Sequence, residues 1–153
     1  MPSYPVANPS IHQRAREVLA LQPLFLDTET TGTGPGDLII EVGIVDAQGN
    51  ELFNSLVNPG IPIPAESSAV NGITNADVAD EPKWPQVWPK VEEILKGRAI
   101  GIYNADFDIR LLRQSNVAHG LPWTLDADQA FCMMKMFAAW YGERNPRYNG
   151  FKA

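Results

Sequence analysis

The chain has 153 residues, the size of one domain built on a single hydrophobic core. With 44% hydrophobic and 20% charged residues it falls outside the disordered class, and no apolar run approaches the ~20 residues of a membrane span. The net charge is −6, which speaks against tight general binding to nucleic acid, and the one cysteine, Cys132, excludes an internal disulfide or a cysteine-rich zinc centre.

The charge is uneven along the chain. Residues 1–82 hold 2 basic and 11 acidic groups, whereas residues 83–153 hold 10 basic and 7 acidic. An acidic half beside a mildly basic one suits an enzyme that holds cations and a polyanion together; it also fits an ordinary uneven surface. The 13 prolines imply many turns. Met1–Asn8 lacks the basic start and apolar stretch of a signal peptide, so a cytoplasmic location without a membrane partner is expected.

Ser10 with Gln13 reads as a capping box opening a helix over 11–21, closed by Pro23. Leu24-Phe25-Leu26 starts an apolar strand that runs into Asp27-Thr28-Glu29. Residues 30–36 carry three glycines and a proline and predict an irregular loop. Strands follow at 38–45 and 51–57, joined by a turn at 47–50. After a proline-rich connector at 58–64, two short helical turns are expected at 65–71 and 75–79, split by Gly72. A helix at 85–97 with a possible kink at Pro89, a strand at 99–103 and a helix at 106–119 come next. A short extended piece at 124–126 and a last helix at 129–141 complete the order. Three antiparallel strands followed by alternating helices and strands predict a mixed α/β sheet covered on both faces.

Strand alternation puts Asp27 and Glu29 on one face, at the end of an apolar strand where burial is expected. Two carboxylates about 4 Å apart repel by roughly 4 kcal/mol at an effective dielectric of 20. Such a pair is kept for a shared proton or for a bound cation, and hard divalent ions prefer carboxylate oxygens. A solvated strand end carrying two unrelated acids is the plain alternative. Asp108 falls in the first turn of the helix after Asn104, facing back towards that strand end; Asp106 reads as that helix's N-cap.

Four blocks in order now resemble the DEDD-type 3′→5′ exonucleases, which include proofreading subunits, ribonuclease T and oligoribonuclease on a ribonuclease H-like fold. They are Leu-Asp-Thr-Glu-Thr-Thr-Gly at 26–32, Ile-Ile-Glu-Val-Gly-Ile-Val at 39–45, Asn-Gly-Ile-Thr at 71–74 with Ala-Asp following, and Asn-Ala-Asp-Phe-Asp at 104–108. The resemblance covers residues 24–150 and implies a ribonuclease H-like mixed five-stranded sheet, with residues 1–23 as a helical extension and 24–153 as the exonuclease domain. It implies that Asp27, Glu29 and Asp108 are catalytic and hold Mg²⁺ or Mn²⁺, two ions in the complete site. By the same resemblance Thr28, Thr30, Thr31, Gly32, Asn104 and Phe107 contact the nucleotide, and the substrate is a single-stranded DNA or RNA 3′ end.

The family's final motif is a general-base His, or Tyr, followed five or four residues later by Asp. The sequence has only His12 and His119, no Asp after Asp128, and no acid at the required spacing after Tyr141 or Tyr148. The domain is therefore expected to be truncated before its last helix and to be weakly active or inactive. The alternative is a catalytically incomplete nucleic-acid-binding or protein-interaction module on the same scaffold. An exposed apolar patch near the C-terminus is also expected, driving either homodimer formation or instability. Thr33 stands where relatives carry a Leu or Phe wedge, and Asn71 where they carry His. His119 reads as a partner of its helix C-terminus. Among Phe107, Trp123 and Trp140 as base-stacking candidates, helical spacing assigns Phe107 and Trp140 to the core; Asp126 and Asp128 read as helix caps.

Overall fold

The structure, a computed structural model, describes residues 9–141, 144–145 and 150–151. Helix α1 (Pro9–Ala20) is already under way at Pro9, so Ser10 lies inside it and the expected N-cap role falls away. Three strands follow, β1 (Leu24–Thr30), β2 (Ile39–Val45) and β3 (Glu51–Leu56), paired antiparallel. Helices α2 (Ala65–Asn71) and α3 (Asn75–Val78) form the connector. Gly72, at φ 76°, ends α2 in the left-handed conformation that glycine takes without strain. A capping box does open α3: Thr74 and Asp77 bond each other's backbone N–H.

Helix α4 (Trp84–Leu95) runs on through Pro89. Strand β4 (Ile100–Ile102) pairs parallel with β1, and β5 (Ala130–Cys132) pairs parallel with β4. Helix α5 (Ala105–Ala118) joins these two, and α6 (Met133–Tyr141) follows β5 directly. The five-stranded order is β3-β2-β1-β4-β5, the mixed sheet that the sequence predicts. A two-residue pair, β6 (Arg144–Asn145) with β7 (Gly150–Phe151), lies apart from it. The expectation of a missing last helix falls largely on residues outside those described.

The fifth strand is a correction. It stands at Ala130–Cys132, inside the segment predicted as helix, while residues 124–126 are irregular. Two tertiary contacts decide this. The Ile100 N–H donates to the Gln129 carbonyl at 2.8 Å, and Phe131 meets Phe25 edge to face at 6.4 Å. Both rings lie over Gly101, where a Cβ would stand 2.7 Å from the Phe25 ring and 2.8 Å from Phe131. Asp126 and Asp128 accordingly cap no helix; they flank a turn in which the Asp126 carbonyl accepts from the Gln129 N–H.

The main core lies between one face of the sheet and helices α4 and α5. Leu24, Leu26, Val42 and Ile44 meet Trp84, Trp88, Val91, Leu111 and Leu112 there, all buried. The indoles of Trp84, Trp88 and Trp123 stack in a column, and the Arg113 guanidinium closes it 4.9 Å over Trp123. Both faces of Trp123 are thus covered within the fold. Phe107 packs half-buried against the core as expected, but Trp140 does not: it is 45% exposed beside Phe137. Among the described residues no helix is long and apolar enough to cross a membrane.

Candidate active site

Alternation along β1 buries Leu24, Leu26, Thr28 and Thr30 on the α5 side and turns Phe25, Asp27 and Glu29 to the other. Asp27 and Glu29 do share a face. The burial expected of both is corrected, because Asp27 is exposed and Glu29 only half-buried. Asp108, in the first turn of α5, is the buried member at 6% exposure. It accepts a hydrogen bond at 2.7 Å from the Thr28 hydroxyl, which faces inward from between the two strand acids. Asn104 takes the N-cap place predicted for Asp106, without a side-chain cap bond. Asp106 is exposed and pairs with Lys135 at 2.9 Å.

A fourth acid, Glu41, escaped the sequence reading. It stands directly across from Glu29 in the β1–β2 ladder. Burial, then Asp27, Glu41 and Asp108 in that order, raise the Glu29 carboxyl above its ordinary pKa. Burial also raises Asp108, and the Thr28 hydroxyl opposes this by bonding the charged form. Among the described residues no salt bridge reaches any of these four acids.

This arrangement has a pH signature. A carboxyl raised on folding binds its proton more tightly in the folded chain than in the unfolded one. Its stabilising contribution is full below the unfolded pKa, about 4, and is lost as pH rises through the raised value. Like charges directly opposite on a sheet cost about 0.2–1 kcal/mol. We therefore expect Glu29→Gln to raise the melting temperature of the metal-free chain at neutral pH by about 1–3 °C. Calorimetry in chelator at pH 7 and pH 5 checks this, and the gain should shrink at the lower pH.

The loop after β1 is held by its own side chains. Asp37 accepts from the Thr31 hydroxyl and from the Gly34 N–H, both at 2.7 Å. The Thr31 hydroxyl in turn accepts from the Leu38 N–H at 3.0 Å, and Thr30 donates to the Gly32 carbonyl at 2.7 Å. Ser67 and Asn71 of α2 donate to the carbonyls of Thr31 and Thr30. From α5, Arg110 donates to the Thr33 carbonyl at 2.9 Å, and Gln114 donates to the carbonyls of Gly34 and Asp37. The hydroxyls of Thr28, Thr30 and Thr31 are thus engaged inside the protein, whereas Thr33, Asn104 and the rim of Phe107 lie nearer solvent. Asp37 was legible in principle, as an acid three residues after a glycine in a tight loop.

Neither histidine belongs to this cluster. His119 caps the far end of α5, its Nδ1 2.8 Å from the Ser115 carbonyl, as its reading as a helix-end partner requires. At 1.5 Å per residue that end lies roughly 16 Å along the helix from Asp108. His12 lines a small recess with Met136, Phe137 and Trp140.

The acids offer hard carboxylate oxygens without a protein counter-charge, the donor chemistry that Mg²⁺ or Mn²⁺ takes. The cage is not closed, however. Among the described residues no three acidic, histidine or cysteine side chains stand together closely enough to form a ready-made ion site. The donor set fits such ions in its chemistry, as carboxylate oxygens.

The family model for exonucleases of the ribonuclease T type matches residues 24–151. This chain belongs to the exonuclease family. It is 36% identical over 152 residues to an uncharacterized exonuclease, CP81, of Escherichia phage 186, covering 96% of this chain and 77% of that protein. It is 42% identical over 104 residues to a DNA polymerase III subunit epsilon-like protein of Rhodobacter capsulatus, covering 63% of this chain but 15% of that one. Among solved structures it resembles exonuclease X in complex with 5′-overhanging duplex DNA: 32% identity, TM-score 0.54, 73% of this chain and 60% of the other. Exonuclease I with bound product has a TM-score of 0.67 at 19% identity, over 80% of this chain and 33% of that one, and shows the shared fold. The exonuclease family and the mixed α/β fold expected from the motifs hold.

Proposed function

We propose that the exonuclease domain removes nucleotides from single-stranded DNA or RNA 3′ ends by metal-dependent hydrolysis, with low turnover in these 153 residues. The observation that supports this most is the placement of Asp27 and Glu29 on one face of β1 with Thr28 between them bonding Asp108 of α5, the three acids having no cationic partner among the described residues. These three side chains would hold Mg²⁺ or Mn²⁺. When bound, a pair of such ions supplies a clamp on the attacking water and on the leaving 3′ oxygen. The exposed side of the 31–37 loop, with Asn104 and Phe107, would seat the terminal nucleotide. A cytoplasmic location goes with this reading, and self-association through the exposed Phe137 and Trp140 is its oligomeric part.

The low turnover in this reading goes with the absence of a histidine beside the acids among the described residues. His119 sits at the wrong end of α5, and a positioned general base contributes about 10²–10⁴-fold. The same observation favours the second reading, a catalytically incomplete module that binds nucleic acid or protein. A 3′-labelled oligonucleotide incubated with Mn²⁺ separates the two. The expected result is slow mononucleotide release that chelator and Asp27→Ala both abolish. Binding of the oligonucleotide with no release supports the module. Release that survives Asp27→Ala sinks the assignment of the acids.

A further inference from the structure

We propose that Thr28 is a positioning residue for Asp108: its hydroxyl, donated at 2.7 Å to Asp108 Oδ1, sets the plane in which that carboxylate meets a divalent ion. The inference rests on the metal-holding role proposed above. Thr28 lies between Asp27 and Glu29 in sequence, yet its side chain faces the opposite side of β1, where Leu24 and Leu26 precede it in the core. A strand position of this kind asks only for a β-branched, apolar residue, and valine has the same shape.

The hydroxyl therefore needs its own reason, since burying one without a partner costs free energy. Its partner is a single oxygen 80 residues away. An ionised carboxylate can only accept, so the hydroxyl has one role in this pair. The last torsion of an aspartate is soft, and a hydrogen bond to one oxygen removes that freedom. Thr28 is 8% exposed and Asp108 6%, so water does not compete for the bond. In metal sites an outer partner of this kind orients the ligand and tunes its grip. Residue 28 would then act on catalysis without touching the ion or the nucleotide.

The test is Mn²⁺ binding to the full chain without nucleic acid, followed through the electron-spin signal of the free ion. We expect Thr28→Val to raise the Mn²⁺ dissociation constant about 10- to 100-fold while circular dichroism keeps the parent's folded spectrum, the melting temperature falling because the buried carboxylate loses its donor. Thr28→Ser, which keeps the hydroxyl, should restore binding close to the parent's. A rise below about tenfold in a folded Thr28→Val would overturn the proposal. Unfolding of both Thr28→Val and Thr28→Ala would overturn it as well, by assigning the hydroxyl to stability. If the parent chain itself binds no Mn²⁺, the metal reading of the acids fails, and this inference fails with it.

Discussion

Replacing Trp88 with alanine is expected to cost about 3–5 kcal/mol of folding free energy and to lower the melting temperature by about 10 °C or more. Trp88 is the middle ring of the indole column, 2% exposed, with centroids 5.7 Å from Trp84 and 5.5 Å from Trp123. Its removal opens a void that neither neighbour can fill. Trp84 is fixed by its Nε1 bond to Asn116 at 2.7 Å, and Trp123 is held beneath Arg113. Trp88→Phe makes a useful control, because among the described residues the Trp88 Nε1 has no hydrogen-bond partner for its loss to orphan. The phenylalanine variant should lose markedly less stability than the alanine one. Equal losses in chemical denaturation would show that packing in the column is not what α4 depends on.

The second large effect concerns the loop beside the acids. A Cβ on Gly32 would stand 2.6 Å from Asp37 Oδ2, closer than real contacts allow. Gly32→Ala must push away the carboxylate that holds the Thr31 hydroxyl and the Gly34 N–H. Overpacking of this kind costs about 1–3 kcal/mol. Asp37→Ala costs a similar amount by leaving both donors without their acceptor. The informative result is the double variant. With the carboxylate gone, Gly32→Ala has nothing left to displace, so the two costs should fall well short of adding. Denaturation of the two single variants and the double one measures this coupling. Simple additivity would mean that Gly32 is a glycine for some other reason.

The sheet and the three acids could be read from residues because their causes are local. The alternation of Leu24, Leu26 and Thr28 against Asp27 and Glu29 is a period of two, and the structure keeps it. The glycine-rich character of the 30–36 loop was equally plain, but what shapes that loop was not. Arg110 and Gln114 reach it from 77 and 80 residues away, and no spacing rule connects them. Strand β5 was misplaced for a related reason. Ala130 to Met134 is one unbroken apolar run, in which periodicity cannot separate strand from helix. Pairing with β4 makes the division. Asp106 illustrates the competition between local and distant partners, since a local rule made it a cap while Lys135, 29 residues on, claimed its carboxylate. Glu41 was passed over because its meaning lies in the register: only the ladder sets it opposite Glu29.

Gly101 lacks a side chain, and two phenylalanine rings, one from each neighbouring strand, use the space. They work as a key in a slot. A one-residue slip of β5 would swing Phe131 to the opposite face and leave the slot half-filled, with Phe25 alone. Register at the sheet edge is thereby locked to the central strand that carries Asp27 and Glu29. It also decides where α6 begins, and so where Lys135 can reach Asp106 on the turn of α5 that bears Asp108. A strand that bears none of the acids thus shares one register with the strand that carries two of them.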